Sequence, residues 1–330
     1  MITSLRLGAR TSPLARAQVD LVSGLLAAYD VGSTFVGVTT TGDVDPRLLT
    51  EIGGTGVFAN AVRDALHAGR VDVGVHSLKD LPTAPERGLS VVAVPRREDT
   101  RDVLVGATLE SLPEGARIGT GAPRRSLQLM DWAERTGRRI EVVPVRGNVD
   151  TRIGLARSGA LDAVVLAGAG LSRLGHLSRA TLEHPDKKDT VVKGLPAQVL
   201  DEEMMLPAPG QGALALEVST SLDDDHQALV AQLDDPIARA EALVERGFLA
   251  ALEAGCTAPV GARAKVKSVR GTSLDLTLTA VIGRTLLNNL SEPTKSGPPL
   301  RIEVSGSTSE PAAFGAEHAR EVLERLSAPT

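Results

Sequence analysis

Cys256 is the only cysteine among 330 residues, and it sits in the glycine-flanked stretch "LEAGCTAPVGA", Leu252 to Ala262. Two chemistries suit it: a small buried hydrophobe, or a reactive or modified thiol. The local sequence leaves both open. If the thiol reacts, positive charge must activate it, because the C-terminal end of a helix before Gly255 disfavours a thiolate. Arginines supply such charge at backbone features suited to anions. Arg10 lies in a strand-to-helix turn ahead of Ser12-Pro13, and Arg124 and Arg125 fall in the first turn of a helix. Arg146 follows a strand in "VRGN", Arg152 comes shortly after it, and Arg173 lies in "GLSRLG". Arginine grips carboxylate and phosphate bidentately, and a helix N-terminus already favours negative charge. The set points to a polycarboxylate or phosphate ligand, although most of the 36 Lys and Arg residues must be solvated surface.

"HSLKDLP", His76 to Pro82, follows the apolar run "VDVGV". In open α/β sheets, ligands bind at the carboxyl ends of strands. Asp80 there is either half of a surface pair with Lys79 or a carboxylate placed to stabilise a developing cation or move a proton. "GGTGVFANAV" lacks the Gly-Lys-Ser/Thr ending of a phosphate loop and reads as a flexible lid. The six histidines show no metal-ligand spacing, and one cysteine cannot supply a zinc cluster.

The elements that position these groups follow from hydrophobic period. Short β-branched runs alternate with amphipathic stretches over the first two thirds, the pattern of βαβ units on a mostly parallel sheet. Strands are expected at Leu5–Leu7, Phe35–Thr39, Val71–Val75, Leu89–Val94, Val103–Val105, Arg117–Gly119, Glu141–Val145 and Asp162–Leu166. Helices are expected at Leu14–Tyr29 and Val57–His67. The polar "VPRREDTRD", Pro95 to Asp102, marks a crossing between domains. "GARTSPLARAQ" and "IGTGAPRRSLQ" echo one another: strand, glycine, proline at the first helical turn, then Gln18 or Gln128. Two lobes of similar design are expected. Leu182 to Glu203 is charged and reads as an exposed, irregular insertion. Asp235-Pro236 opens a helix ending at Gly255, with Ile237, Val244, Phe248 and Leu252 on one face. "KVKSV", "LDLTLTAVI" and "LRIEV" then alternate as in an antiparallel sheet, and "GAEHAREVLERL" closes as a helix.

Composition sets limits. At 42% hydrophobic and 23% charged residues the chain is an ordinary globular one, and its net charge of −5 argues against a general nucleic-acid binder. No stretch approaches the length of a membrane span, and the N-terminal "MITSLRLGAR" has no long apolar run, so neither a signal peptide nor a membrane anchor is expected. A single cysteine excludes an internal disulfide framework and fits a reducing cytosol.

Taken together, "ARTSPLARAQ", "HSLKDLP", "IGTGAPRRSLQL", "RGNVDTR", "AGLSRLG", "LPAPGQGALALE" and "LEAGCTAPVGA" resemble the porphobilinogen deaminase (hydroxymethylbilane synthase) family, in order and at compatible spacing from Arg10 to Ala262. The resemblance implies an α/β protein with two lobes like a type II periplasmic-binding-protein fold, and a C-terminal α+β domain with a small antiparallel sheet. Residues 1–96 with 205–219 would form the first lobe, 97–204 the second, and 220–330 the third domain. It implies a dipyrromethane cofactor held by Cys256 through a thioether. Onto it four porphobilinogen molecules are deaminated and coupled head to tail, giving hydroxymethylbilane for tetrapyrrole synthesis. Arg10, Arg124, Arg125, Arg146, Arg152 and Arg173, with Ser12 and Lys79, match the family's carboxylate-binding residues. Asp80 matches the carboxylate that offsets the cation left when ammonia departs. Gln18, Thr120 and Gln211 stand in matching motifs, and Phe58 in the lid would stack on a pyrrole ring. A cytoplasmic monomer is implied, with a small-molecule substrate and neither nucleic acid nor membrane as partner. Three departures stand out: Gly121-Ala122-Pro123 replaces a common Ser-Ser-Leu, Thr55 and Asn60 replace lysines, and the segment around 185–200 has no counterpart. A ligand-binding module on the same two-lobed fold is the rival reading.

Overall fold

The computed structural model describes residues 2–39, 56, 59–184, 190–254, 258–287 and 297–327. Each expected βαβ strand forms: β1 Ser4–Arg10, β2 Gly32–Val38, β3 Val73–Ser77, β4 Leu89–Ala93, β5 Asp102–Val105, β6 Ala116–Thr120, β7 Ile140–Pro144 and β8 Ala163–Ala167. They are followed by β9 Val191–Val192, β10 Leu195–Val199, β11 Leu214–Ser219, β12 Val260–Arg270, β13 Ser273–Ile282 and β14 Leu300–Thr308. The chain is mixed α/β with a C-terminal antiparallel sheet, the class expected. It divides into two compact units, Met1–Glu98 with Gly212–Ala240, and Asp99–Gln211 with Glu241–Thr330.

In the first unit the strand order is β2-β1-β3-β11-β4. β1 runs parallel to β2 and β3, and β11 runs antiparallel to both β3 and β4. The helix Pro13–Ala27 packs Val19, Val22 and Leu26 against Leu5, Leu7, Val73 and Val75 of the sheet. Burial of aliphatic side chains drives this packing, at roughly 1.5–3 kcal/mol for each one fully removed from water. Residues 220–240, placed by sequence with the third domain, belong to this unit. The reason is apolar: Leu222, Leu229, Val230 and Leu233 join the same core.

The second unit repeats the order. Its sheet runs β7-β6-β8-β5-β10-β9, with β6 parallel to β7 and β8, and β5 antiparallel to β8 and β10. The echo between "GARTSPLARAQ" and "IGTGAPRRSLQ" is therefore structural. β1 and β6 hold the same place in their sheets, and each leads into a helix with proline in its first turn, Pro13–Ala27 and Pro123–Thr136. The antiparallel strand β11 is the first strand after the chain returns to the first unit, and β5 is the first after it enters the second.

The expected exposed insertion needs correction. Residues 185–189 lie outside the described ones, but β9 and β10 beyond them belong to the sheet, with Val192, Ala197, Val199 and Leu200 buried. Their alternation is a period-two strand pattern masked by the surrounding charges. Lys193 (φ 50°) and Gly194 (φ 78°) make the left-handed two-residue turn that a hairpin favours.

The C-terminal sheet β12-β13-β14 is an antiparallel meander backed by the helices Pro236–Ala251 and Pro311–Ser327. Asp235 caps the first of these, its Oδ1 accepting from the Ala238 N–H at 2.8 Å. The helix stops at Ala251, short of Gly255. Val244, Phe248 and Leu252 are buried as expected, whereas Ile237 in the first turn is exposed. Within the second unit, the Glu245 carboxylate is fully buried and accepts from the N–H groups of Gly210 (2.7 Å) and Ala264 (3.0 Å). That bond joins the "PAPGQG" loop to the C-terminal sheet.

Candidate functional site

In each unit, parallel strands bring the singled-out residues to one edge of a sheet. β2, β1 and β3 end side by side, so Arg10 at the end of β1 and the single 3-10 turn Leu78–Asp80 after β3 share the carboxyl edge of the first sheet. Arg10, Ser12, Lys79 and Asp80 are all half-buried there. Ser12 caps the following helix, its Oγ accepting from the Ala15 N–H at 3.3 Å. Gln18 is buried one turn on and donates from Nε2 to Ser77 Oγ at 2.8 Å. It thereby braces the segment that carries Lys79 and Asp80.

In the second unit, β7, β6 and β8 also end side by side. Thr120 with the start of the Pro123–Thr136 helix, Arg146 after β7, and the helix Gly168–Arg173 after β8 therefore share one edge. Arg146, Arg152 and Arg173 are half-buried; Arg152 Nε donates to Gly147 O at 2.9 Å. Ala122 offers no side-chain cap where a serine is common, and the Thr120 hydroxyl accepts the Ala122 N–H instead, at 3.2 Å.

Arg124 and Arg125 are buried, and their shared partner is a residue that sequence reasoning missed. Asp102 at the head of β5 is completely buried. Its Oδ2 accepts from Arg124 Nη1 at 2.7 Å and its Oδ1 from Arg125 Nη2 at 2.8 Å. Gln211, also fully buried, donates from Nε2 to Asp102 Oδ1 (2.8 Å) and to Thr100 O (2.7 Å), and its Oε1 accepts from Arg124 Nη2 at 3.0 Å. Burial alone would raise the Asp102 carboxyl, but the charges and hydrogen bonds of the two arginines hold it far below the usual carboxylate range. The signal for Asp102 was its place directly before a short, wholly apolar strand, hidden by reading "VPRREDTRD" as a polar crossing.

Cys256 and Phe58, with Thr55 of the lid, lie outside the described residues. Asn60, the other lid departure, begins the helix Asn60–His67. Among the described residues, no helix is long and apolar enough to cross a membrane.

Residues 5–228 match the family model described as "Porphobilinogen deaminase, dipyromethane cofactor binding domain", and residues 239–324 match that of the same enzyme's C-terminal domain. The chain belongs to the porphobilinogen deaminase family. "Porphobilinogen deaminase 1" of Streptomyces coelicolor is 46% identical over 327 residues, covering 97% of this chain and 95% of that protein. The porphobilinogen deaminase of Leifsonia xyli is 43% identical, covering 98% and 90%. Among solved structures, the methionine-binding protein MetQ aligns at a TM-score of 0.41 and 11% identity, over 70% of this chain and 89% of that one.

The donor set of the second unit fits the family's dipyrromethane group. Arg125 keeps uncommitted N–H groups, and Arg146 and Arg173 stand at the same sheet edge, which is the chemistry a carboxylate-rich pyrrole pair requires.

Proposed function

We propose that this chain works as a hydroxymethylbilane synthase, condensing four porphobilinogen molecules and one water into hydroxymethylbilane with release of four ammonia molecules. The observation that carries the reading is the two-part family match, 5–228 and 239–324, which spans both sheets bearing the arginines and Asp80. Held as a thioether on Cys256, the dipyrromethane supplies a covalent two-pyrrole primer to which further units are added. The chain's own residues do the rest. Arg10, Ser12 and Lys79 in the first unit, with Arg124, Arg125, Arg146, Arg152 and Arg173 in the second, bind acetate and propionate side chains. Asp80 would offset the positive charge that develops on a bound pyrrole as ammonia leaves. Gln18 holds the Asp80 segment, Thr120 and Gln211 support the arginine-bearing helix, and Phe58, outside the described residues, would be the aromatic side chain to stack on a pyrrole ring. We further infer a cytoplasmic monomer of three domains: the two sheets' lobes and a C-terminal domain whose sequence includes Cys256.

The test is intact mass. Wild-type protein should carry a covalent two-pyrrole adduct, and Cys256→Ser should lack it while remaining folded. Wild-type protein with no mass beyond the polypeptide, even after incubation with porphobilinogen, would sink the reading and favour a simple ligand-binding module. Asp80→Asn should retain the adduct yet lose about a hundred- to a thousandfold in steady-state rate, the typical value of a preorganised charge in a transition state. Near-normal turnover by the loaded variant would remove Asp80 from the catalytic role.

A further inference from the structure

Three arginines at the second sheet's edge come from two chain segments. Arg146 and Arg152 flank the start of the helix Val149–Arg157, and Arg173 ends the helix Gly168–Arg173. The corner ahead of the first helix is well set. Gly147 takes φ 103°, Asn148 Oδ1 accepts the Thr151 N–H at 2.9 Å, and Arg152 Nε donates to Gly147 O at 2.9 Å. The helix behind that corner has little apolar anchorage. It has nine residues, too few to be stable alone, and of these only Ile153 is buried, with Val149 and Leu155 partly so.

Polar contacts hold this helix at both ends. Asp150, in its first turn, accepts on Oδ1 from Lys193 Nζ at 2.5 Å, and His176 Nε2 lies 2.9 Å from the same oxygen. Arg157, in its last turn, donates from Nη2 to Lys193 O at 2.6 Å. The Lys193 hydrogen bond, with a smaller contribution from His176, holds the Asp150 carboxyl below the usual carboxylate range. An ionised carboxylate can only accept, so His176 Nε2 is the donor. Both partners are themselves fixed. Gly175 (φ 70°) closes the helix Gly168–Arg173 with its N–H on Ser172 O at 2.9 Å, and the His176 N–H meets Leu171 O at 2.9 Å, the paired bonds of a Schellman turn. His176 is thereby locked to the helix that ends in Arg173. Lys193 stands at the left-handed turn between β9 and β10, so the stretch that stood apart from the family's motifs reaches the arginine-bearing helix.

We infer that Asp150 is a positioning residue: through His176 and Lys193 it sets the Arg146–Arg152 segment against Arg173 and the β9–β10 hairpin, so that these arginines meet ligand carboxylates as a preset array. The inference rests on the proposed reaction and gives Asp150, His176 and Lys193 an effect exerted only through the arginines. Preset donors cost less to order when a ligand binds, so loosening them weakens carboxylate binding and leaves the chemistry at Asp80 unchanged.

Variants of the cluster test this by three readouts: the rate of adduct loading at limiting porphobilinogen, followed by intact mass; KM and kcat of the loaded protein; and the thermal midpoint. Asp150→Ala should slow loading and raise KM, each about three- to tenfold, the range for one lost hydrogen bond, with kcat nearly unchanged. The carboxylate side chain is 42% exposed, so the midpoint should fall by no more than about 4 °C. His176→Leu and Lys193→Met should each move KM the same way by a smaller factor. His176→Gln, which keeps a side-chain donor, should restore most of the loss seen in His176→Leu. The double variant Asp150→Ala/His176→Leu should be no worse than Asp150→Ala, because both changes break one bond. A lowered midpoint with unchanged KM and loading overturns the inference. So do His176→Gln behaving as His176→Leu, and effects that multiply in the double variant. Should Asp150→Ala fail to fold, the two His176 variants decide between the outcomes. Absence of the adduct from wild-type protein would instead overturn the proposed function, so the two failures are distinguishable.

Discussion

Each parallel sheet buries one carboxylate on its antiparallel strand, and the two sheets surround that charge differently. In the first, Glu217 of β11 accepts from Arg63 Nε at 3.1 Å and Nη2 at 2.9 Å, and His76 Nε2 lies 3.3 Å from it. The remaining arm of Arg63 reaches Glu86 at 3.2 Å. One guanidinium there faces two carboxylates. In the second sheet, two guanidinia face the single carboxylate of Asp102. Burial penalises any unpaired charge, so both clusters must be nearly closed. Only the second retains positive charge beyond what its own acid neutralises. A buried arginine is thus informative through what its neighbours leave over: Arg63 is a brace between the helix Asn60–His67 and β11, while the Asp102 cluster can still meet an anion.

The most severe way to break the contrast is Asp102→Asn. Removing one partner of a buried ion pair typically costs about 3–5 kcal/mol, because the other charge is left uncompensated. Here two would be left. Denaturant titration should show a loss in that range, and a cost below about 1 kcal/mol would mean that water or the neighbouring carbonyls already satisfy the arginines. Acid provides the matching titration. Burial works to raise Asp102 and Glu217, yet the paired cations hold both below the usual range. A lowered folded-state pKa means the unfolded chain binds the proton more readily. The stabilisation is therefore complete above about pH 4 and disappears as the pH falls below it. Wild-type stability should drop steeply there, and Asp102→Asn should show a shallower acid limb, read from denaturant midpoints against pH.

The contrast also marks where sequence is legible. The eight βαβ strands were readable because each is a short apolar run bounded by turn residues, and the paired "SP" and "AP" turns revealed two sheets of one design. β9 and β10 were not, since an alternating apolar pattern of a few residues disappears among charges and a Lys193-Gly194 turn. The candidate site was legible as residue types at strand ends. Its supports were not, because Asp102, Glu217 and Arg63 become meaningful only when residues far apart in the chain are brought into one buried cluster. Ile237 failed for a related reason: a helical face predicts burial only where another element covers it.

Glu217→Gln should cost less than Asp102→Asn. The amide keeps an acceptor for Arg63, and Glu86 still offsets part of its charge, so about 1–3 kcal/mol is expected, the range for leaving a buried polar group poorly satisfied. The adduct should form normally, since this cluster braces rather than binds. Impaired loading at unchanged stability would erase the distinction between the sheets.

The smallest effect, and the one that sharpens the comparison most finely, is Glu86→Ala. The Glu86 side chain is 43% exposed, whereas that of Glu217 is 3% exposed, although both lie on the same guanidinium. Solvent screens the outer contact, and an ion pair of this kind typically contributes about 0.2–1 kcal/mol. Arg63 would keep Glu217 on two of its nitrogens, so no buried charge is orphaned. The loss should therefore stay under about 1 kcal/mol at low salt and shrink toward zero in about 1 M salt, where the screening length falls to roughly 3 Å. Thermal midpoints of wild type and Glu86→Ala at the two salt concentrations make the check. A salt-insensitive cost equal to that of Glu217→Gln would show that Glu86 is part of the buried brace itself, so that the first sheet closes its arginine with two acids of equal weight.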